Sequence, residues 1–215
     1  MTDQPTSCQL YAVIEAGLGA PERLCAALEA ADLAAVLIEP AAGQELDAAV
    51  SRPLVAIAKK AGVAALILGD AQLARALGAD GVHLGTLKDL QVAYRAAREQ
   101  LGSGTVVGVD AGISRHAAML LAEAGADYVG FGAPAHLKDR EKARARRGEL
   151  ISWWAEIFQV PCVAFDVDNA AEAGALAARG ADFVAVTLTS ALSPAATRDM
   201  VRDIAAAVRT GGTPS

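Results

Sequence analysis

Short, almost continuously apolar runs recur along the chain and alternate with longer stretches of amphipathic, helical spacing. Runs of this kind are typical of parallel strands covered by helices, and apolar positions at i, i+3 and i+4 predict helices. The pattern predicts eight strands, at residues 9–14, 33–38, 64–68, 81–84, 105–109, 128–131, 161–165 and 183–186. It predicts eight helices between and after them, at residues 21–31, 46–60, 71–77, 88–101, 114–124, 139–158, 169–179 and 194–209.

An internal repeat supports this alternation. Residues 78–85 read Gly-Ala-Asp-Gly-Val-His-Leu-Gly, and related stretches begin at positions 125 and 180, so that successive copies start 47 and 55 residues apart. Each copy follows a helical pattern and leads into an apolar run, so its glycine suits the left-handed position that ends a helix. Because one strand, one helix and their turns need roughly 25 residues, each interval holds two such units.

Eight strand–helix units predict a (β/α)8 TIM barrel, an α/β fold. We expect a single domain over residues 1–210, followed by a flexible tail at residues 211–215. An open doubly wound sheet is the alternative. That fold would usually carry a GxGxxG turn after its first strand, and no such turn is present here.

Composition narrows the classes of function. The chain has 215 residues, of which 53% are hydrophobic, and a formal net charge of −6. This length and apolar content suit one sizeable core, and the negative charge argues against binding to nucleic acid. Cys8, Cys25 and Cys162 form no CxxC pair, so neither a disulfide framework nor a zinc site is indicated. The absence of a signal-like start and of an 18-residue apolar run predicts a cytoplasmic protein without a membrane segment.

Candidate chemistry gathers where the predicted strands end. In a TIM barrel these ends and the following loops surround one active-site opening, here called the mouth. Clustered carboxylates repel one another, so the acidic mouth is expected to bind a cation, or metal ions that bridge it to an anion. The candidates are Glu15, Glu39, Asp70, His83, Gly85, Asp89, Asp110, Gly132 and the residues up to Lys138, Asp166, Asp168, and Thr187 to Ser190.

Two segments carry a family resemblance. Residues 79–85 (Ala-Asp-Gly-Val-His-Leu-Gly) and 125–132 (Gly-Ala-Asp-Tyr-Val-Gly-Phe-Gly) resemble thiamine phosphate synthase and its relative, the thiazole tautomerase. The resemblance extends from about residue 64 to residue 186. It implies a TIM barrel of thiamine biosynthesis that uses Mg²⁺ to join a pyrimidine methyl pyrophosphate to a thiazole phosphate. The pyrophosphate leaves, and the thiazole nitrogen captures the resulting cation.

The resemblance also implies residue roles. Asp70 and Asp89 occupy the positions of the magnesium ligands, and Lys138 that of a lysine after the sixth strand. Independently of the resemblance, Thr187, Thr189 and Ser190 at the end of the eighth strand could donate hydroxyl groups to a phosphate, with the chemistry of a strand-to-helix turn as the alternative. For Asp70 and Asp89, capping of the following helix is the alternative role.

Three anion-binding features that the resemblance predicts are replaced. Glu39 stands where the family has an arginine, and Asp166-Val167-Asp168 replaces a Gly-Gly turn that cradles phosphate. The stretch from Asp110 replaces Ser-Thr-His. A wrong charge near a phosphate costs about 1 to 4 kcal/mol per pair. These changes argue against ordinary synthase activity.

Two histidines have competing interpretations. His116 falls in a predicted first helical turn, where the helix N-terminus favours a neutral imidazole. With Asp110 it is a candidate general acid or base, although a surface histidine would look the same. His83 lies in an apolar strand and is either a substrate ligand or a core residue.

Two surface features remain open. The basic cluster from Lys138 to Arg147 is either a lid that closes over an anion or a solvated, charged helix start. Trp153 and Trp154 are adjacent and cannot both point inward, so one of them is a candidate for a homodimer interface.

Three functions therefore stay open, each of which involves a small-molecule substrate or ligand. The first is a transferase of the thiamine phosphate synthase type. The second is a tautomerase- or isomerase-like paralogue that moves a proton. The third is a non-catalytic barrel that binds a cation such as thiamine.

Overall fold

Eight parallel strands alternate with eight helices in the computed structural model, which describes residues 8–85, 87, 89–133 and 138–211. The strands are β1 (Gln9–Ala16), β2 (Leu33–Pro40), β3 (Ala64–Leu68), β4 (Gly81–Leu84), β5 (Val106–Asp110), β6 (Tyr128–Phe131), β7 (Cys162–Ala164) and β8 (Phe183–Leu188). The helices are α1 (Ala20–Ala30), α2 (Ala48–Lys60), α3 (Ala71–Leu77), α4 (Leu90–Leu101), α5 (Arg115–Glu123), α6 (Arg140–Ile157), α7 (Ala170–Ala178) and α8 (Pro194–Gly211).

The strands form one closed barrel in chain order. Each strand pairs in parallel with the next, and β8 returns to pair with β1 over positions such as Leu10 and Val184. The predicted (β/α)8 barrel is therefore confirmed. The last helix includes Gly211, one residue past the boundary expected for the barrel, and residues 212–215 lie outside the described part of the chain.

The main core lies between the barrel and its helices. Outward strand positions such as Ile14 and Ile38 are fully buried against helix residues such as Leu24, Leu54 and Leu150. Burial of one such side chain contributes about 1.5 to 3 kcal/mol. The apolar pattern of the sequence reflects this layer.

A second core fills the inside of the barrel. Tyr11, Leu37, Leu66, Tyr128 and Val163 point inward there. Because side chains alternate along a strand, every second residue of β1 and β2 faces this interior. The same alternation decides which strand-end residues reach the mouth.

The internal repeat builds the same structure three times. Its glycines have the predicted left-handed backbone, with φ of 61°, 97° and 93° at Gly78, Gly125 and Gly180. The aspartate two residues later accepts a hydrogen bond from an amide near the start of the preceding strand. These bonds measure 2.7–2.8 Å and join Ala65 to Asp80, Val107 to Asp127, and Cys162 to Asp182. The most regular motif of the sequence thus stabilises the end of the barrel opposite the mouth.

The two adjacent tryptophans of α6 differ in environment. Trp154 is 1% exposed, stacks on Phe158 at 4.0 Å and donates its indole N–H to the Val160 carbonyl at 2.7 Å. Trp153 is half-buried, and the Arg115 guanidinium lies 4.7 Å from its ring centre. A homodimer at this position stays a prediction. Among the described residues, no helix combines the length and the hydropathy needed to span a membrane.

Candidate active site

Glu15 and Glu39 stand side by side at the mouth. β1 and β2 each extend two residues beyond the predicted apolar run, and the register pairs Glu15 with Glu39. Both residues follow the inward-facing positions Tyr11 and Leu37 at even spacing. Their carboxylates therefore occupy adjacent positions on the inner face of the barrel.

Glu39 is the most perturbed carboxylic acid of the mouth. Burial, together with the negative charges of Glu15 and Asp166, raises the pKa of Glu39 from 4.5 to about 7. Asp166 follows β7, across the barrel from β2. Three carboxylates from different parts of the sequence thus influence one another in one opening.

Glu15 is held from two directions. Its Oε2 accepts a hydrogen bond of 2.7 Å from the backbone N–H of Ser190, which follows β8. Its carbonyl oxygen accepts a hydrogen bond of 2.9 Å from the buried Arg23 guanidinium on α1. The structure therefore uses the Ser190 amide to orient a carboxylate, while a substrate contact by the Ser190 hydroxyl stays a prediction.

Asp166 has an unusual backbone conformation. Its φ is +56°, and no other non-glycine residue in the described ranges has a positive φ. A Cβ atom at Gly132 would lie 2.6 Å from Asp166 Oδ2, so the glycine makes room for this carboxylate at the end of β6. Asp166 lies at the start of the turn where the resemblance expected two glycines, and it keeps a glycine-like backbone there.

The basic helix α6 neutralises the turn after β7. Arg140 forms an ion pair of 2.7 Å with Asp168, and Arg144 pairs with the same carboxylate. Arg147 is 1% exposed and pairs with Glu172 at 2.5 Å. Three arginines of the basic cluster therefore form ion pairs with the turn after β7 and with α7. A lid role for the cluster stays a prediction. The Asp168 carboxylate is already paired with two arginines. Its predicted role in substrate binding stays untested.

His83 belongs to the interior layer. It is 3% exposed, and burial lowers its pKa to about 3, so the imidazole is neutral. The Tyr128 hydroxyl oxygen lies 2.9 Å from His83 Nδ1 and 2.8 Å from the Tyr11 hydroxyl oxygen. This geometry corresponds to the core interpretation of His83, because its ring already has a buried polar partner.

Asp110 and His116 lie in different environments. Asp110 ends β5 on the inward side, and its carboxylate accepts a hydrogen bond of 2.7 Å from the Gly112 N–H. Its charge also contributes to raising the pKa of Tyr128, which burial raises most. His116 is exposed in the first turn of α5, behind the N-cap Ser114. The acid–base roles of both residues stay predictions.

The two predicted magnesium ligands lie at helix starts. Asp70 is exposed, and its Oδ1 accepts a hydrogen bond of 2.8 Å from Leu73 N–H, which is the capping role given as the alternative. Asp89 is exposed at the N-cap of α4 without a side-chain cap bond. Over the described ranges, no group of three or more histidine, cysteine or acidic residues is placed to hold a metal ion. A Mg²⁺ site on this pair therefore stays a prediction.

The remaining predicted contacts line the same end of the barrel. Gly85 directly follows β4, Thr187 lies on β8 in register with Val13, and Lys138 is exposed just before α6. Residues 134–137, inside the predicted segment from Gly132 to Lys138, lie outside the described residues. Substrate binding by these positions is untested.

Comparison with known proteins assigns the family. Residues 10–189 match the family described as thiamine monophosphate synthase. The chain belongs to the thiamine monophosphate synthase family. The resemblance seen in the two repeat segments is thereby confirmed, over a longer part of the chain than those segments cover.

Several relatives of the family are similar over most of their length. The chain is 38% identical to the thiamine-phosphate synthase of Erythrobacter litoralis, over 86% of this chain and 88% of that one. It is 39% identical to the thiamine-phosphate synthase of Rhodospirillum centenum, over 84% and 88%. A thiamine phosphate pyrophosphorylase from Pyrococcus furiosus has the same fold, with a TM-score of 0.72, 20% identity and coverage of 96% and 98%. A tryptophan synthase structure from Mycobacterium tuberculosis reaches 0.75 at 17% identity, covering 95% and 94%, so the barrel alone does not specify the reaction.

Three residues of this family member gained their importance only from the structure. Tyr11 and Tyr128 lie in predicted strands with no local sign of a polar role, yet their hydroxyl groups meet inside the barrel. Arg147 is one of six basic residues in a row of charges, and its sequence position does not reveal that it is buried. The one available signal was Gly108, because a glycine inside a strand marks a close approach of another group.

Proposed function

We propose that this protein acts in thiamine biosynthesis by a condensation of the thiamine phosphate synthase type, with the mouth carboxylates stabilising the positive charge that forms on the substrate. The family and the relatives named thiamine-phosphate synthase support the pathway. The observation that carries the finer proposal is the convergence of Glu15, Glu39 and Asp166 on one opening.

The chemistry of the condensation suits an acidic opening. Departure of pyrophosphate leaves a cationic pyrimidine methyl group, and attack by the thiazole nitrogen produces a thiazolium ion. Fixed carboxylates near this developing charge stabilise it in a partly water-excluded site. The same carboxylates repel pyrophosphate, so the proposal requires a counter-charge.

Mg²⁺ and Lys138 are the proposed source of that counter-charge. Asp70 and Asp89 would hold the metal through carboxylate oxygens, which are ligands of the type that Mg²⁺ prefers. Lys138 is exposed ahead of α6, where it is free of any bond to the turn after β7 among the bonds of the described residues. The metal would offset the charge of the leaving pyrophosphate.

The direct test is product formation. Purified protein is incubated with the pyrimidine methyl pyrophosphate, the thiazole phosphate and Mg²⁺, and thiamine phosphate is quantified by chromatography. We expect product that depends on Mg²⁺, and a loss of about 100-fold in kcat for Glu39→Gln at pH 8, where Glu39 is mostly ionised. Glu45→Gln, an exposed substitution in the loop after β2, is the matched control. No product under any metal condition would exclude the condensation.

A second candidate is binding of a thiamine-like cation, with or without proton transfer on it. It is favoured by the pKa of Glu39, which at about 7 suits a group that holds or exchanges a proton at neutral pH. Thermal shift separates the candidates. Stabilisation by pyrophosphate only with Mg²⁺ supports the condensation, whereas stabilisation by thiamine without metal supports cation binding. A ligand at 100 times its Kd adds about 2.7 kcal/mol.

A further inference from the structure

The turn after β7 is held by side chains of α6 and α7. One Arg147 nitrogen, Nη1, donates to the carbonyl oxygen of Phe165 at 2.6 Å and to that of Asp166 at 3.0 Å. Its Nη2 donates to Glu172 at 2.5 Å, and Glu172 in turn accepts from the backbone N–H of Asp168 at 2.8 Å. The backbone on both sides of the Asp166–Asp168 turn is thus fixed from α6 and α7.

Arg147 is costly to bury, which makes its position informative. It is 1% exposed, burial lowers its pKa, and its Nε has no hydrogen-bond partner within the described part of the molecule. A buried guanidinium with an unpaired nitrogen destabilises the fold unless its remaining hydrogen bonds and ion pairs offset that cost. Two of those bonds go to the carbonyl groups that flank the Asp166 N–H and Cα.

Asp166 needs such support because its backbone is strained. A positive φ costs a non-glycine residue about 1 kcal/mol or more and persists only where the surroundings impose it. In an extended conformation the Asp166 side chain would leave the space above Gly132, where Oδ2 now lies. The carboxylate would then no longer act on Glu39, whose pKa it now helps to raise.

We infer that Arg147 is a positioning residue, which holds Asp166 in its left-handed backbone conformation and thereby directs the Asp166 carboxylate into the mouth. The inference rests on the proposed function in one respect, namely that the mouth carboxylates act on a cation. Under this inference, α6 contributes to the site without any direct contact with the ligand. Arg147 acts through the Phe165 and Asp166 carbonyl groups, and Glu172 orients its guanidinium.

The first test measures the mouth without any ligand. The side-chain carboxyl of Glu39 is titrated by carbon-detected NMR in the wild type and in Arg147→Met, Arg147→Lys and Asp166→Asn. If Arg147 positions Asp166, the Glu39 pKa falls in all three variants, because the Asp166 charge moves away or is removed. If Arg147 supplied only a neutralising charge, its removal would leave Asp166 in place and less compensated, and the Glu39 pKa would rise in Arg147→Met. An unchanged or raised value overturns the inference.

Arg146→Met is the matched control. Arg146 precedes Arg147 on the same helix, carries the same charge, and pairs with Glu149 at the surface. Its loss changes the net charge equally without touching the turn after β7. We expect its Glu39 titration to equal that of the wild type, and an equal fall in this variant would contradict the positioning role.

The second test uses Asp166→Gly and keeps the inference falsifiable if Arg147→Met does not fold. Glycine accepts a positive φ without strain and carries no carboxylate. The variant therefore needs no support for its backbone, and it has no carboxylate for Arg147 to direct into the mouth. We expect about tenfold weaker thiamine binding for Arg147→Lys and for Asp166→Gly, and no further loss when the two are combined. Additive losses would mean that Arg147 acts elsewhere.

The two levels of the proposal fail in different ways. If thiamine does not bind but the Glu39 titration responds as expected, the proposed ligand is wrong and the positioning role stands. If thiamine binds and the titration does not respond, the positioning role is wrong and binding of a cation by the mouth stands.

Discussion

Glu15 and Glu39 are paired in register on the first two strands, with both side chains on the inner face of the barrel. Directly opposed like charges destabilise a sheet. The pair is tolerated because the Ser190 N–H binds Glu15 and because Glu39 keeps its proton up to near neutral pH. This relationship links the stability of the fold to the charge of the mouth.

The raised pKa of Glu39 makes stability depend on pH. The pKa of Glu39 is about 7 in the folded protein, against 4.5 normally. Glu39 therefore leaves the free energy of unfolding unchanged below pH 4.5 and lowers it increasingly as the pH rises to 7. Glu39→Gln should therefore gain up to about 3 kcal/mol relative to wild type between pH 4.5 and pH 8. Urea unfolding at both pH values checks this. Glu45→Gln should show no such pH-dependent gain. If Glu39→Gln becomes less stable relative to wild type as the pH rises from 4.5 to 8, the raised pKa assigned to Glu39 is wrong.

Gly108 determines whether the interior tyrosine can occupy its place. A Cβ atom there would lie 1.9 Å from Tyr128 Cζ, so Gly108→Ala must displace the ring. We expect a loss of about 2 to 4 kcal/mol in unfolding free energy, from overpacking and from broken bonds to Tyr11 and His83. Gly104→Ala, which meets open space just before β5, is the control and should change stability little. Equal stability of the two variants would show that Tyr128 is not held against this glycine.

Glu172 and Glu149 should differ strongly although both pair with arginines of α6. Glu172→Gln removes the charge that faces the buried Arg147, and we expect a loss of about 2 to 4 kcal/mol. Glu149 is 62% exposed beside Arg146, so Glu149→Gln should change stability by about 0.5 kcal/mol or less. Chemical denaturation at low and high salt tests both values. A large effect at Glu149 or none at Glu172 would contradict the burial of Arg147.

Asp70 permits a separation of its capping role from the predicted metal role. Asparagine caps a helix about as well as aspartate but lacks the charge that Mg²⁺ requires. Asp70→Asn should therefore keep the metal-free stability, whereas Asp70→Ala should lose about 1 kcal/mol through the bond to Leu73. Thermal shift with and without Mg²⁺ and pyrophosphate is the measurement. If Asp70→Asn retains the full Mg²⁺-dependent shift, Asp70 is a cap and not a ligand.

The repeated aspartates should matter for stability and not for ligand binding. Asp182→Ala removes the acceptor of the Cys162 N–H at the end of the barrel opposite the mouth. We expect a loss of about 1 to 3 kcal/mol with an unchanged Kd for mouth ligands. Asp199→Ala, 71% exposed on α8, is the control and should be close to neutral. If fully folded Asp182→Ala binds mouth ligands more weakly, the repeated aspartates affect ligand binding as well as stability, contrary to this prediction.

The fold followed from the sequence because its signals are local. The apolar runs, the helix caps and the repeated Gly-Ala-Asp segments each report on neighbouring residues, and all three agreed on eight strand–helix units. The strand ends were less well defined, since Glu15 and Glu39 extend β1 and β2 beyond the apolar runs. A carboxylate inside a strand is understandable only when its position at the rim of a closed barrel is known.

The site was predictable in location and not in detail. The rule that chemistry gathers at the strand ends placed Glu39 and Asp166 in the mouth. It also included Asp168, whose partners on α6 could not be foreseen, because ion pairs between residues 28 positions apart depend on packing. The hydrogen bond between Tyr11 and Tyr128 spans 117 positions and gives no local signal at all.

The bond from Ser190 to Glu15 has a consequence for the order of events during synthesis. It joins two residues 175 positions apart and lies beside the β1–β8 seam that closes the barrel. A chain growing on the ribosome can form its first strands early, but Glu15 has no Ser190 partner until the eighth strand has emerged. The orientation of the Glu15 carboxylate is thus completed late, when the two ends of the polypeptide meet.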